Sequence, residues 1–158
     1  MRLSRLCWMA VATGLSFPAW AADAIAPATR EKVESFLQRF IDPNKTPYEQ
    51  LALFTDDVDY YDHGKVGKPA ILKDIGYTVR RWPLRFYRLA GIDYMKRDPA
   101  DEDRIFVSYR IEFEVANPSR AMGGTATYAA LIVDPEGEPK IEAIAEKVLK
   151  RNRLDVRE

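Results

Sequence analysis

Residues 104–115 read RIFVSYRIEFEV. Ile105, Val107, Tyr109, Ile111, Phe113 and Val115 alternate with Phe106, Ser108, Arg110, Glu112 and Glu114. Successive side chains of a strand point to opposite faces, so this period of two predicts a long strand with one continuous apolar face. Such a face must be covered by a second layer. The rest of the chain has to supply that layer and the neighbouring strands.

Downstream, Asn117-Pro118-Ser119 turns into AMGGTATYAALIV, a strand rich in small residues. Asp134-Pro135-Glu136-Gly137 then turns into KIEAIAEKVLKR. That last segment is read as a strand, although Ile141, Ile144, Val148 and Leu149 would also suit a helix. Upstream, Asp98-Pro99-Ala100-Asp101 is a polar turn, preceded by Phe86, Tyr87, Ile92, Tyr94 and Met95 at strand period, with Gly91 as a candidate bulge.

The covering layer lies further upstream. Val33, Phe36, Leu37, Phe40 and Ile41 recur at helical spacing, with Thr29 as the expected N-cap and Asp42-Pro43-Asn44 as the stop. Thr46-Pro47-Tyr48-Glu49 supplies an N-cap, a proline at the first helical position and a glutamate placed to close a capping box. This second helix is expected to run to about Phe54. A third carries Ile71, Ile75, Val79 and Trp82 on one stripe, has Lys73, Asp74, Arg80 and Arg81 elsewhere, and ends at Pro83. Between them, Val58, Tyr60 and Tyr61 form a short strand that His63-Gly64 turns. Helices first and long strands afterwards give an α+β class, with three N-terminal helices packed into the concave side of a curved antiparallel sheet.

The first residues, MRLSRLCWMAVATGLSFPAWAADA, set Arg2 and Arg5 before an apolar run and end on Ala19-Trp20-Ala21. This is the pattern of a secretory signal peptide over residues 1–21, so a periplasmic or secreted protein with no stable membrane insertion after cleavage is expected. Residues 22–28 form a leader, 29–150 the domain and 151–158 a charged tail. Cleavage would remove Cys7, the single cysteine, and with it disulfide, thiolate and cysteine-metal chemistry. Taking Arg2 and Arg5 from the 24 basic residues leaves 22 against 24 acidic, a balance near −2 that disfavours nucleic acid as a partner.

Leu53-Phe54, Val58-Asp59-Tyr60-Tyr61, a glycine turn and a helix closing on Arg81-Trp82-Pro83 carry a further signal. With the order of elements, they make residues 29 to 150 similar to the nuclear-transport-factor-2-like, or SnoaL-like, superfamily of cone-shaped α+β domains. The resemblance implies an apolar pocket at the open end of the cone. It implies no single activity, because that superfamily holds isomerases, dehydratases and hydrolases beside domains without catalysis. The carboxylate, tyrosine and protonated aspartate of its ketosteroid isomerases find no complete match. Its dehydratases pair histidine with carboxylate, and only His63 is available.

Asp62 and His63 are therefore the candidate acid–base residues, although adjacency in an extended strand points them to opposite faces and a turn before Gly64 suits an exposed histidine. Tyr60 and Tyr61 oppose each other in the same way, so one at most should line the interior. Together with Trp82, Tyr94, Tyr109 and Tyr128, and with Tyr87 nearby, they suit a pocket for a flat or apolar ligand, or else complete a core. Arg110, Glu112 and Glu114, with Thr125 and Thr127 facing them, are expected on the solvated convex face. Asp56, Asp57, Asp59 and Asp62 match no recognised metal loop, and no cofactor motif appears.

Three functions follow as expectations. The first is an exported domain that binds a small apolar or aromatic ligand, or an envelope protein, without catalysis and with homodimerisation through the sheet. The second is a small isomerase, dehydratase or hydrolase using His63 or Asp62. The third is an interaction or immunity-type factor of the envelope with a filled cone and an exposed patch around Trp82-Pro83-Leu84-Arg85.

Overall fold

The computed structural model describes residues 25–154. The expected signal peptide, Cys7 and the end of the expected charged tail lie outside the described residues. Two helices, α1 (Pro27–Phe40) and α2 (Pro47–Leu51), are followed by two short strands, β1 (Phe54–Tyr60) and β2 (Lys65–Gly67), and by a third helix, α3 (Lys68–Arg81). Four long strands follow: β3 (Leu84–Asp98), β4 (Asp101–Asn117), β5 (Arg120–Val133) and β6 (Lys140–Leu154). All six form one curved sheet in the order β2-β1-β6-β5-β4-β3.

The sheet is mixed. Hairpins make β3, β4, β5 and β6 antiparallel in turn, whereas β1 lies parallel to β6. No hairpin links β1 to β6, so nothing local forces them to oppose each other. The final segment resolves as strand, and β6 continues to Leu154, four residues into the expected tail. Gly124 lets β5 and β6 close up, since a Cβ there would stand 1.9 Å from the Lys150 carbonyl oxygen. The predicted irregularity at Gly91 is present, where the β3–β4 register shifts between Leu89 and Gly91.

The α1 stripe is the core of the helical layer: Val33, Phe36, Leu37 and Phe40 are buried with Ile105, Val107 and Ile132 of the concave sheet face. Each such side chain contributes about 1.5–3 kcal/mol on burial. Pro27 begins α1 and Ala26 caps it, so Thr29 is not the N-cap. Thr29 is buried and its hydroxyl donates to Glu136 Oε1 (3.1 Å), tying α1 to the β5–β6 turn.

The capping box of α2 forms as predicted. Thr46 Oγ1 accepts from the Glu49 N–H (3.2 Å) and Glu49 Oε2 from the Thr46 N–H (2.8 Å). The helix stops at Leu51, earlier than expected, because Phe54 is claimed by β1, where it is buried against Phe40 and Tyr60.

Candidate functional site

At the open end of the cone a cavity of about 150 Å³ is bounded by α1, the α1–α2 connection, α3 and the concave sheet face. Tyr60, Tyr61, Tyr87, Tyr109 and Tyr128 all line it, with Asp74, Arg85, Ile75 and Ile111.

Tyr60 and Tyr61 share this cavity, contrary to the alternation expected of them. The strand ends at Tyr60, and Tyr61 adopts φ 51° as the first residue of a 3-10 turn over Tyr61–His63. Gly64 at φ 67° completes the reversal, and its carbonyl accepts the Tyr60 N–H (3.0 Å). A left-handed tyrosine costs about 1–2 kcal/mol, and it redirects a ring that an extended chain would have sent to the other face. The two rings meet edge to face with centroids 4.4 Å apart. The same turn leaves Asp62 and His63 exposed, and neither lines the pocket.

The sheet supplies the next row. Tyr109 on β4, Tyr128 on β5 and Glu146 on β6 are successive cross-strand partners and so stand on one face. The rings of Tyr109 and Tyr128 stack at 5.5 Å and 17°. Tyr128 donates its hydroxyl hydrogen to Glu146 Oε1 (2.9 Å), and Tyr60 donates to Asp74 Oδ2 (2.9 Å). The Tyr109 hydroxyl is buried and has no hydrogen-bond partner within the described chain.

Every tyrosine of the pocket is held against ionisation. Burial is the first cause for Tyr60, Tyr61, Tyr87, Tyr109 and Tyr128 alike. The Glu146 charge adds to it at Tyr61, Tyr87, Tyr109 and Tyr128, and Asp74 adds to it at Tyr60 and Tyr61. Phenol groups so placed stay neutral and act as hydrogen-bond donors or acceptors. Arg85 opposes the trend at Tyr87. Its guanidinium donates to the carbonyls of Trp82 (2.8 Å) and Pro43 (2.8 Å), closing the C-terminal end of α3 onto the α1–α2 connection.

Two other expected ligand residues stand elsewhere. Trp82, half-buried, has the guanidinium groups of Arg81 (5.6 Å) and Arg120 (4.7 Å) over its ring. Tyr94 belongs to the convex face, half exposed, in a shallow apolar depression with Phe106, Ala129, Leu131, Ala143 and Ala145. On that face Arg110 pairs with Asp93 (2.9 Å) and Arg88 with Glu112 (2.5 Å), the solvated stripe that was expected.

Asp74, Arg85 and Glu146 were absent from the sequence-derived site. Glu146 had a signal, since a lone acid between Ile144 and Val148 at strand period interrupts an inward-facing row. Among the described residues no group of three acids, histidines or cysteines is arranged to hold a metal ion, and no helix is long and apolar enough to cross a membrane.

No family model and no curated protein matches the sequence. Solved structures do resemble the fold. A hexachlorocyclohexane dehydrochlorinase, LinA Type2, superposes with a TM-score of 0.63 over 81% of this chain and 90% of its own, at 10% identity. A Novosphingobium aromaticivorans protein named as an aromatic ring hydroxylase reaches 0.71 over 83% and 96%, at 12% identity. Another protein of that organism, named as a scytalone dehydratase, reaches 0.59 over 82% and 87%, at 16% identity. The chain has the nuclear-transport-factor-2-like, SnoaL-like fold. At these identities the likeness concerns the fold, and the pocket must be read from its own residues.

Proposed function

We propose that this protein is an exported domain of the cell envelope that binds a small, largely apolar or aromatic ligand in the tyrosine-lined pocket and performs no catalysis. The observation that carries the reading is the Tyr109 hydroxyl, buried at the pocket without a partner. An unpaired buried hydroxyl costs about 1–3 kcal/mol, a cost that a ligand able to hydrogen-bond to it would remove. A cone with open volume also favours a ligand over an interaction factor whose cone is filled.

The acid–base alternative gains from neighbours named as a dehydratase and a dehydrochlorinase. It is weakened by the exposure of His63 and Asp62. The carboxylates near the tyrosine hydroxyls are Asp74 and Glu146, and an enzyme built here would use one of them as base.

The convex face is proposed to pair with a second copy. Glu112 and Glu114 on β4 and Lys147 and Lys150 on β6 share that face, so a two-fold pairing can set acids of one copy against lysines of the other.

The pocket reading is tested by NMR with tyrosine ring labels and a library of small aromatic compounds. Saturable shifts are expected at Tyr61, Tyr87, Tyr109 and Tyr128 and absent at the exposed Tyr48 and Tyr77. Tyr109→Phe should keep the fold, because it removes an unpaired polar atom, and should weaken the bound compound roughly tenfold. Shifts confined to the exposed rings would overturn the reading.

A further inference from the structure

The charges around the cavity are unevenly placed. Near the tyrosines stand the Asp74 and Glu146 carboxylates, each accepting a tyrosine hydroxyl hydrogen at 2.9 Å. Among the described residues the cation acting on a pocket tyrosine is Arg85, on Tyr87, and its guanidinium donates to the backbone carbonyls of Trp82 and Pro43. Asp42 and Lys45, both on the α1–α2 connection, also line the cavity and offset each other in charge. An anionic ligand would meet the Asp74 carboxylate in the lining, with the Glu146 carboxylate standing behind Tyr128.

A cation meets the opposite situation. Tyrosine rings attract an ammonium group within about 6 Å through the ring quadrupole, worth about 0.5–2 kcal/mol each and more when water is excluded. The cavity of about 150 Å³ is the size that admits one six-membered ring, and a trimethylammonium headgroup is of similar bulk. The Tyr109 hydroxyl oxygen, buried without a partner, can accept an N–H from a protonated amine.

We infer that the pocket's ligand is a small organic cation, a quaternary or protonated amine, seated against Tyr61, Tyr109 and Tyr128 with Glu146 and Asp74 as counter-charges. The inference rests on the pocket-binding reading and narrows its ligand class. It requires no bond to be made or broken.

The test titrates the full chain, by NMR of the labelled tyrosines, with three probes of one shape: choline, its neutral carbon isostere dimethylbutanol, and anionic dimethylbutanoate. Choline is expected to shift Tyr61, Tyr109 and Tyr128 at a concentration roughly tenfold below the neutral isostere, with the anion weakest. Glu146→Gln should remove most of choline's advantage over the alcohol and Asp74→Asn part of it, read as the ratio of the two affinities within each variant. Equal or tighter binding of the alcohol would overturn the charge inference while the pocket reading stands. Pocket tyrosines indifferent to all three probes and to the aromatic library would overturn both.

Discussion

Tyr109 and Arg110 are consecutive residues of β4 that occupy two different solvents. Tyr109 is fully buried, stacked on Tyr128, with an unpaired hydroxyl. Arg110 is exposed and paired with Asp93 across β3 at 2.9 Å. The difference is set by the pleat, which sends alternate side chains to the helices or to water. It also runs along the concave face. At the closed end, Ile105 and Val107 meet the α1 stripe, and towards the open end the same face carries Tyr109. Core and site are thus one row of positions, apolar where α1 covers it and tyrosine where the cavity begins.

The sharpest way to break this contrast is to truncate both faces. Ile105→Ala should cost about 2–5 kcal/mol, because the buried side chain leaves a void under α1. Phe106→Ala, one residue on and 43% exposed, should cost about 1 kcal/mol or less. Urea denaturation measures both. Equal losses would mean that the convex face is buried in solution, as a paired dimer requires, and the concentration dependence of the midpoint would separate that case from a misread pleat.

Alkaline pH probes the concave face as a whole. The folded-state ionisation of Tyr60, Tyr61, Tyr87, Tyr109 and Tyr128 is raised above the ordinary value of 10.0, first by burial. The unfolded chain therefore loses phenolic protons that the folded chain retains. Stability is fully present below about pH 10 and falls as the pH rises beyond it. Urea midpoints from about pH 8 to about pH 11 should decline together with the appearance of tyrosinate absorbance. Tyrosinate absorbance from these five rings that rises near pH 10 with no loss of stability would mean that they stand in water.

Much of this was legible in the sequence where the signal was local. The alternation of residues 104–115 specified β4 and its two faces, and Thr46-Pro47-Tyr48-Glu49 specified a capping box that forms. The parallel pairing of β1 with β6 was not legible, since partners such as Tyr60 and Ile144 lie far apart in sequence. Nor was the placement of Tyr61, whose positive φ cancels the alternation assumed for Val58-Asp59-Tyr60-Tyr61 and brings two adjacent tyrosines to one cavity. Asp74 and Glu146 were passed over because a charged residue is usually a surface residue. Both are indeed exposed, yet each accepts the hydrogen of a tyrosine that lines the pocket.

The smallest effect is expected on the convex face and bears on its solvation. Arg110 and Asp93 form an ion pair with both side chains more than a third exposed. Water screens such a pair and fixing two long side chains opposes it, so a double-mutant cycle with Arg110→Ala and Asp93→Ala should give a coupling of about 0.2–1 kcal/mol that shrinks with added salt. A coupling of several kcal/mol that resists salt would require a dry environment around the pair. On this sheet only a partner laid over β3 and β4 could supply one, so the cycle reads the monomer's contrast between faces when the coupling is small and its burial in a dimer when it is large.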